Sequence, residues 1–285
     1  MRKIILTTES GADLPIDFIE RYNLEVVPMH VVMDGKDYLD GSLPITDIYD
    51  YYERTKKVPS TTSTNPNEYT ELFTKIRAAH PNSIIVHIGY TSKASSSFQN
   101  ANIAAADFED IHLIDALNVS GGLTAVVMYA AFLLEKEPDI ALDRFLGLVQ
   151  SSVPRARFAF IPENLDFLRA GGRVSNAAYI GASLLKIKPL IELVDGKLVS
   201  TKKYRGKMRR VAEDLMQDFL KLYPIDKEQL YLIFSIGLDE SIKLHMEELA
   251  KENGFKNVTW VQTGGVISSH GGPGAFGIAG METTA

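Results

Sequence analysis

The chain has 285 residues, 45% hydrophobic and 23% charged, with a net charge of -6 and no cysteine. The missing cysteines exclude disulfides, thiolate nucleophiles and thiolate-bound metals. The acidic balance speaks against nucleic acid, or an anionic membrane recruited by bulk charge. At roughly 150 residues per domain, the length suits two domains.

The basic start, Met1-Arg2-Lys3, is followed by only three apolar residues before Thr7-Thr8-Glu9-Ser10, too few for a secretion signal. No run approaches the ~18 apolar residues of a membrane span, so the expected compartment is the cytoplasm. Residues 3–7, 25–32, 83–88 and 111–114 read as strands rich in Ile and Val. Their continuous apolar runs suit buried strands of a parallel sheet. Between them, 17–22, 46–54, 67–79, 96–108 and 122–134 carry helical spacing, clearest at Tyr69, Leu72, Phe73 and Ile76. This alternation predicts an N-terminal, mostly parallel α/β domain over residues 1–150.

The pattern changes at Ser151-Ser152-Val153-Pro154. Residues 155–161 read as a strand, and 162–168 as a short helix opened by Pro162. Residues 190–194 and 197–203 flank Asp195-Gly196, a two-residue hairpin turn. A helix over 208–222, a strand over 230–235, a helix over 240–253 ended by Gly254, and a strand over 258–262 follow. Residues 151–285 are expected to form an α+β domain with a mixed or antiparallel sheet.

Several segments carry polar chemistry. Pro59-Ser60-Thr61-Thr62-Ser63-Thr64-Asn65-Pro66 places five hydroxyls before a helix, where they serve either as a cap or as a cradle for a carboxylate or phosphate. Gly89-Tyr90-Thr91-Ser92-Lys93-Ala94-Ser95-Ser96-Ser97 is a second hydroxyl-rich strand-to-helix turn, at the sheet edge where α/β ligands collect. Asp115 to Gly122 is a third such junction. Leu168-Arg169-Ala170-Gly171-Gly172-Arg173-Val174-Ser175 offers a sharp bend and an arginine able to clamp an anion or tie the domains together. The cluster Lys203-Tyr204-Arg205-Gly206-Lys207 reads most simply as solvated surface. Finally, Gly265 to Ala275 gathers glycines around His270, and reads as a strand running into either a tight hairpin or an anion-binding turn.

Familiar signatures are missing from the sequence: no GxxxxGK[ST], no GxGxxG after the first strand, no GxSxG, no HExxH and no i,i+4 histidine pair. Spacing alone leaves open a triad of Ser95, His270 and Asp115.

Taken in order, these segments resemble the DegV family of bacterial fatty-acid-binding proteins. The likeness begins at Glu9-Ser10-Gly11-Ala12-Asp13-Leu14, where the family usually has Asp-Ser-x-x-Asp-Leu. It continues through 59–66, 91–101, 168–175, Leu184-Leu185-Lys186-Ile187-Lys188-Pro189 and 267–275. The resemblance implies a two-domain carrier that buries one long acyl chain, such as palmitate, in a tunnel between the domains. It implies no cofactor, metal or catalysis of its own, and a separate fatty acid kinase as partner. By the same resemblance, the carboxylate falls to Thr61 and Ser95, with Thr62, His270 and Arg205 completing the head-group network and Ser10, Ser92, Ser96 and Gly271 in support. Transient contact with a membrane surface belongs to the same picture. The chain departs from the pattern at Ser63-Thr64 (usually Gln-Pro), Ser96-Ser97 (usually Gly-Thr) and Ala94 (usually Leu), which bears on chain-length preference and kinase coupling. The tunnel lining is expected on a helix over 178–185. The alternatives are a hydrolase or acyl transferase using Ser95 or Thr61 with His270, and an interaction module docking through its acidic surface.

Overall fold

A computed structural model describes residues 2–174 and 187–284. The helix expected over 178–185, with Ser175 and Leu184 to Lys186, lies outside the described residues.

In the first half the order is β1 (Ile4–Glu9), α1 (Ile16–Tyr22), β2 (Glu25–Val27), β3 (His30–Met33), β4 (Lys36–Leu39), α2 (Ile45–Thr55) and β5 (Ser60–Thr62). Then come α3 (Pro66–Ala79), β6 (Ile84–Gly89), α4 (Ser97–Ala105), β7 (Ile111–Asp115), α5 (Ser120–Lys136) and α6 (Leu142–Ser152). Strands β2, β1, β6 and β7 form a parallel sheet in that order. Every residue of β6 is buried, as its unbroken apolar run predicts.

The second half runs β8 (Ala156–Ile161), α7 (Leu165–Gly171), β9 (Ile187–Val194), β10 (Lys197–Arg205), α8 (Met208–Leu222) and β11 (Gln229–Phe234). It closes with α9 (Glu240–Glu252), β12 (Asn257–Gln262), α10 (Gly265–Gly271) and β13 (Phe276–Met281). Its sheet has the order β10-β9-β8-β13-β11-β12, antiparallel except for the β11–β12 pair. The fold is therefore mixed α/β, with a parallel sheet from the first half and a separate mixed sheet from the second.

Helix α5 joins the two sheets. It is apolar all round, and packs on β1 and β6 on one side and on β8, β11 and β13 on the other. Its entry permits the close approach: a Cβ on Gly121 would lie 2.5 Å from Ile233 Cδ1, and one on Gly122 would lie 2.2 Å from Asn118 Oδ1. One hydrophobic cluster thus runs from Leu6 and Val86 through Leu123 and Val126 to Phe158 and Ile233.

Four expectations change. The strand expected over 25–32 is two strands in different sheets. Pro28, which has no N–H to give a ladder, separates β2 from β3, and β3 pairs antiparallel with β4 and β5. The hydroxyl run at 60–62 is strand β5, not only a helix entrance. The helix expected from Pro162 begins at Leu165, with the Asn164 side chain accepting the Asp166 N–H as its cap. Most consequentially, residues 265–271 form helix α10, not a strand or hairpin, and the strand β13 follows the glycine loop.

Candidate functional site

The two hydroxyl-rich junctions lie side by side. Asn65 caps α3 by accepting from Asn67 and Glu68 N–H, while Glu68 returns a bond to the Asn65 N–H, and this capping box fixes the chain leaving β5. Across from it, Ser63 Oγ and Ser96 Oγ lie 2.8 Å apart. Asn100 Nδ2 donates to Thr64 O at 2.8 Å and to Ser63 Oγ at 3.3 Å. Thr61, two residues before Ser63, and Ser95, one before Ser96, are thereby brought to one neighbourhood from segments 34 positions apart in the sequence.

Helix α10 delivers the third component. Thr61 Oγ1 and His270 Nε2 lie 2.9 Å apart. Two carboxylates, Asp13 buried and Asp40 half-buried, hold the start of this helix: Asp13 Oδ1 accepts the Gly264 N–H at 2.7 Å, and Asp40 Oδ1 accepts the Gly265 N–H at 2.6 Å. Their other oxygens accept from Ser120 Oγ at 2.6 Å and Ser10 Oγ at 2.8 Å. Burial pushes both carboxyls up from the ordinary aspartate range. Asp13 and Ser120 both hold left-handed backbone, at φ 53 and 45, and their mutual bond pins two strained residues together.

The imidazole of His270 is held in its neutral form. Burial, reinforced by the positive charge of Arg173, pushes its pKa down to about 4. Its Nδ1 is buried and has no hydrogen-bond partner among the described residues.

His270, Arg173, Gly271, Ser120, Ser235 and Thr263 form the polar part of a cavity otherwise lined by side chains such as Tyr90, Val119, Phe158, Phe160, Leu198, Ile233 and Phe276. Its volume is about 50 Å³, below the roughly 300–1,000 Å³ range of small-molecule sites, so a long acyl chain enters only if these walls part. The lining comes from both halves of the chain.

The remaining predicted residues are distributed as follows. Ser95 Oγ donates to Ser97 Oγ at 3.2 Å and accepts the Ser97 N–H at 3.2 Å. Thr62 is exposed on β5, where it pairs with His30. Ser92 is exposed, and its N–H faces the Asp115 carboxylate at 3.3 Å. Ser10 is committed to Asp40 and to the Met29 N–H. Arg205 is not brought to the pair: it ends the outermost strand β10, exposed and in register with Ile187. The guanidinium near His270 is that of Arg173, which donates to Gly171 O at 2.8 Å. The Ser95–His270–Asp115 triad is not assembled: His270 meets Thr61, and Asp115 accepts the Leu117 N–H at 3.0 Å.

Sequence reasoning missed Asp40, and gave Asp13 only as part of a motif. It also missed a buried network beneath the Tyr90 turn. There Glu9 accepts from Tyr69 Oη at 2.7 Å and from the Tyr90 N–H at 2.8 Å. His87 Nε2 lies 3.4 Å from Glu9 Oε1, within ion-pair range but outside hydrogen-bond geometry, and its Nδ1 meets Thr7 Oγ1 at 2.9 Å. Burial alone would raise the Glu9 pKa; the His87 ring, Tyr69 and the Tyr90 N–H outweigh it, and the carboxyl sits below the usual glutamate range.

Among the described residues no helix is long and apolar enough to cross a membrane, and no cluster of three or more His, Asp or Glu could hold a metal.

The model described as the DegV family matches residues 3–283. A DegV domain-containing protein of Clostridium acetobutylicum is 30% identical over 293 aligned positions, covering 99% of each chain. The structure of a Thermus thermophilus DegV family protein, described for its fatty acid binding, superposes with a TM-score of 0.87 at 25% identity, covering 99% of this chain and 100% of that one. DegV of Bacillus subtilis, described as a fatty acid binding protein, shares the fold with a TM-score of 0.82 at 22% identity and coverage of 99% and 100%.

Proposed function

The chain belongs to the DegV family, and from that premise we propose that it binds one long-chain fatty acid, the tail in the apolar cavity and the carboxylate at the Thr61–His270 pair. The observation that carries this reading is the pair itself: a hydroxyl and an imidazole 2.9 Å apart, the imidazole lining a cavity whose walls are mostly apolar. The fatty acid binding described for the Thermus thermophilus protein supports it.

The energetics suit such a ligand. About 0.8 kcal/mol per buried CH₂ makes a gross contribution on the order of 10 kcal/mol for a sixteen-carbon chain, enough to survive the costs of association. The carboxylate then needs donors, because an unpaired buried charge is expensive. While their mutual bond holds, Thr61 and neutral His270 together supply one such donor, and Ser95 is the second donor in this reading. Its hydroxyl, now turned to Ser97, re-aims by a rotamer change. Halves 1–150 and 151–285 act as the two lobes that close on the ligand. A separate fatty acid kinase, which would phosphorylate the presented carboxylate, is the partner in this scheme.

A catalytic role is disfavoured by the chemistry of His270. An imidazole with a pKa near 4 is a weak base at neutral pH, and no described carboxylate orients its Nδ1.

Native mass spectrometry of the protein purified from a bacterial host tests the reading. The expected result is a mass excess of one fatty acid, lost in the Thr61→Val/Ser95→Ala double variant. A ligand-free protein that also ignores added hexadecanoate overturns it.

A further inference from the structure

His30 stands between two carboxylates, and each of its ring nitrogens faces one. Nδ1 lies 3.0 Å from Asp37 Oδ1, on β4, and Nε2 lies 2.8 Å from Glu68 Oε1, on α3. A neutral imidazole has one N–H, so only the imidazolium makes both contacts as donor bonds. Burial of the ring opposes the charge; Glu68 and Asp37 outweigh it and raise the pKa above the ordinary 6.5. Among the described residues these two are the charged groups that face the ring. Strand β5 opposes it with Thr62, which carries no charge. Helix α10 meets β3 through Val31, whose side chain points to the other face of the strand.

The bonds of Glu68 carry the effect of that proton toward the head-group pair. Its Oε2 accepts the Asn65 N–H at 2.7 Å while its Oε1 meets the ring. In the β3–β5 ladder His30 pairs with Thr62, and Val31 with Thr61. Ring, β5 and the cap of α3 thus close a circuit around residues 62–65, and the hydroxyl that faces His270 belongs to the residue just before it. When the proton leaves, the exposed Asp37 turns to water, and the ring keeps its one N–H for Glu68, which the Asn65 N–H holds in place. The latch then falls from a charge-assisted bond to an ordinary one, about half as strong.

We propose that His30 is a positioning residue for Thr61, locking the segment from Thr61 to Asn65 as the imidazolium and loosening it as the neutral ring. Affinity for a fatty acid then falls as pH rises through neutrality. This rests on the fatty-acid reading above and adds a regulation of its head-group end. The sign follows from the direction of the shift: the stabilisation is complete below about pH 6.5 and is lost as pH rises through the folded pKa of His30.

The test is calorimetric titration of delipidated protein with hexadecanoate from about pH 6 to 9, in the wild type, His30→Gln and Glu68→Gln. The wild-type dissociation constant should rise roughly threefold across this range. His30→Gln has no proton to release and should be flat. Glu68→Gln keeps the capping box, because Gln at this position also accepts the Asn65 N–H, and its amide donates to the neutral ring. That variant should hold the low-pH affinity of the wild type to the top of the range. Groups common to all three proteins, Asp13 and Asp40 included, cancel in the comparison. Nuclear magnetic resonance of the ligand-free wild type gives a second readout: the Thr61 and Asn65 amides should shift with the titration of the His30 ring. Equal pH slopes in the wild type and His30→Gln, or amides that ignore the ring, overturn this proposal and leave the fatty-acid reading standing. Hexadecanoate unbound at every pH overturns both.

Discussion

Gly171 and His270 share a space that holds only one side chain. A Cβ built on Gly171 would lie 2.2 Å from His270 Nδ1. The glycine pair before Arg173 and the glycine-flanked histidine, 99 positions apart in sequence, thus form one contact between α7 and α10. Gly171→Ala must push the ring away from Thr61, or the backbone away from the ring. The expected cost is about 1–3 kcal/mol of stability, typical of overpacking, with a larger effect on affinity. Thermal denaturation and hexadecanoate titration measure the two. Wild-type affinity in the folded variant contradicts the contact's role in aiming the imidazole.

The acid sensitivity of the fold should bear the mark of His270. Its folded pKa is about 4, against ~6.5 for an ordinary histidine in the unfolded chain. Between those values the unfolded state binds more protons, so stability rises with pH across the window. The contribution is complete above about pH 6.5 and is lost as pH falls toward 4. His270→Gln should flatten this part of a plot of urea midpoint against pH. A variant curve parallel to the wild type rules the assignment out.

Much of the framework is legible in periodicity, because α8 and the strands of the parallel sheet bury one stripe or one run each. Helix α8 matches its expected bounds, Met208–Leu222, and β6 differs from its expected bounds only at the ends. The errors fall where local pattern is silent. Residues 265–271 hold two glycines and three hydroxyl or imidazole side chains, a composition poor for a helix. What makes them helical is tertiary: the carboxylates of Asp13 and Asp40, more than 220 positions away, accept the N–H groups at the helix start. No window of sequence contains that pairing. Similarly, Arg173 and Arg205 are equally plausible basic partners of His270 by composition, and only the bend at α7 brings the first of them near.

The buried Glu9 network predicts a coupling between the core and the serine loop. Tyr69 Oη donates to Glu9 and lies beside the Thr64 and Ser97 hydroxyls, so it links the carboxylate to the partner of Ser95. Tyr69→Phe removes a hydrogen bond to a charged group, an expected loss of about 1.5–3 kcal/mol. It also raises the Glu9 pKa toward the unfolded value. A depressed carboxyl pKa stabilises above the unfolded pKa, and that stability is lost as pH falls through the folded one. The variant's acid-side loss should therefore begin near the same pH, end at a higher pH and span a narrower range. Urea titrations from pH 2 to 6 report both features, and identical curve shapes would refute the link.

Asp13 should respond differently to two substitutions that each remove its charge. Asp13→Asn keeps an acceptor for the Gly264 N–H and a side chain tolerant of the left-handed backbone at φ 53. Asp13→Ala loses the bonds to Gly264 and Ser120 and suits that backbone poorly, an expected cost of about 2–4 kcal/mol. The charge itself acts the other way. Burial raises the folded pKa, so the folded state holds the proton more tightly, and stability falls as pH rises from about 3.9 through the raised value. Asn has no proton to lose, so its variant should gain on the wild type across that window while the Ala variant stays below both. Because Asp13 holds the start of α10, the Ala change should also speed hydrogen exchange at the Gly264 amide and weaken hexadecanoate binding through His270. Unchanged exchange at Gly264 in Asp13→Ala would show that α10 is held by its packing alone.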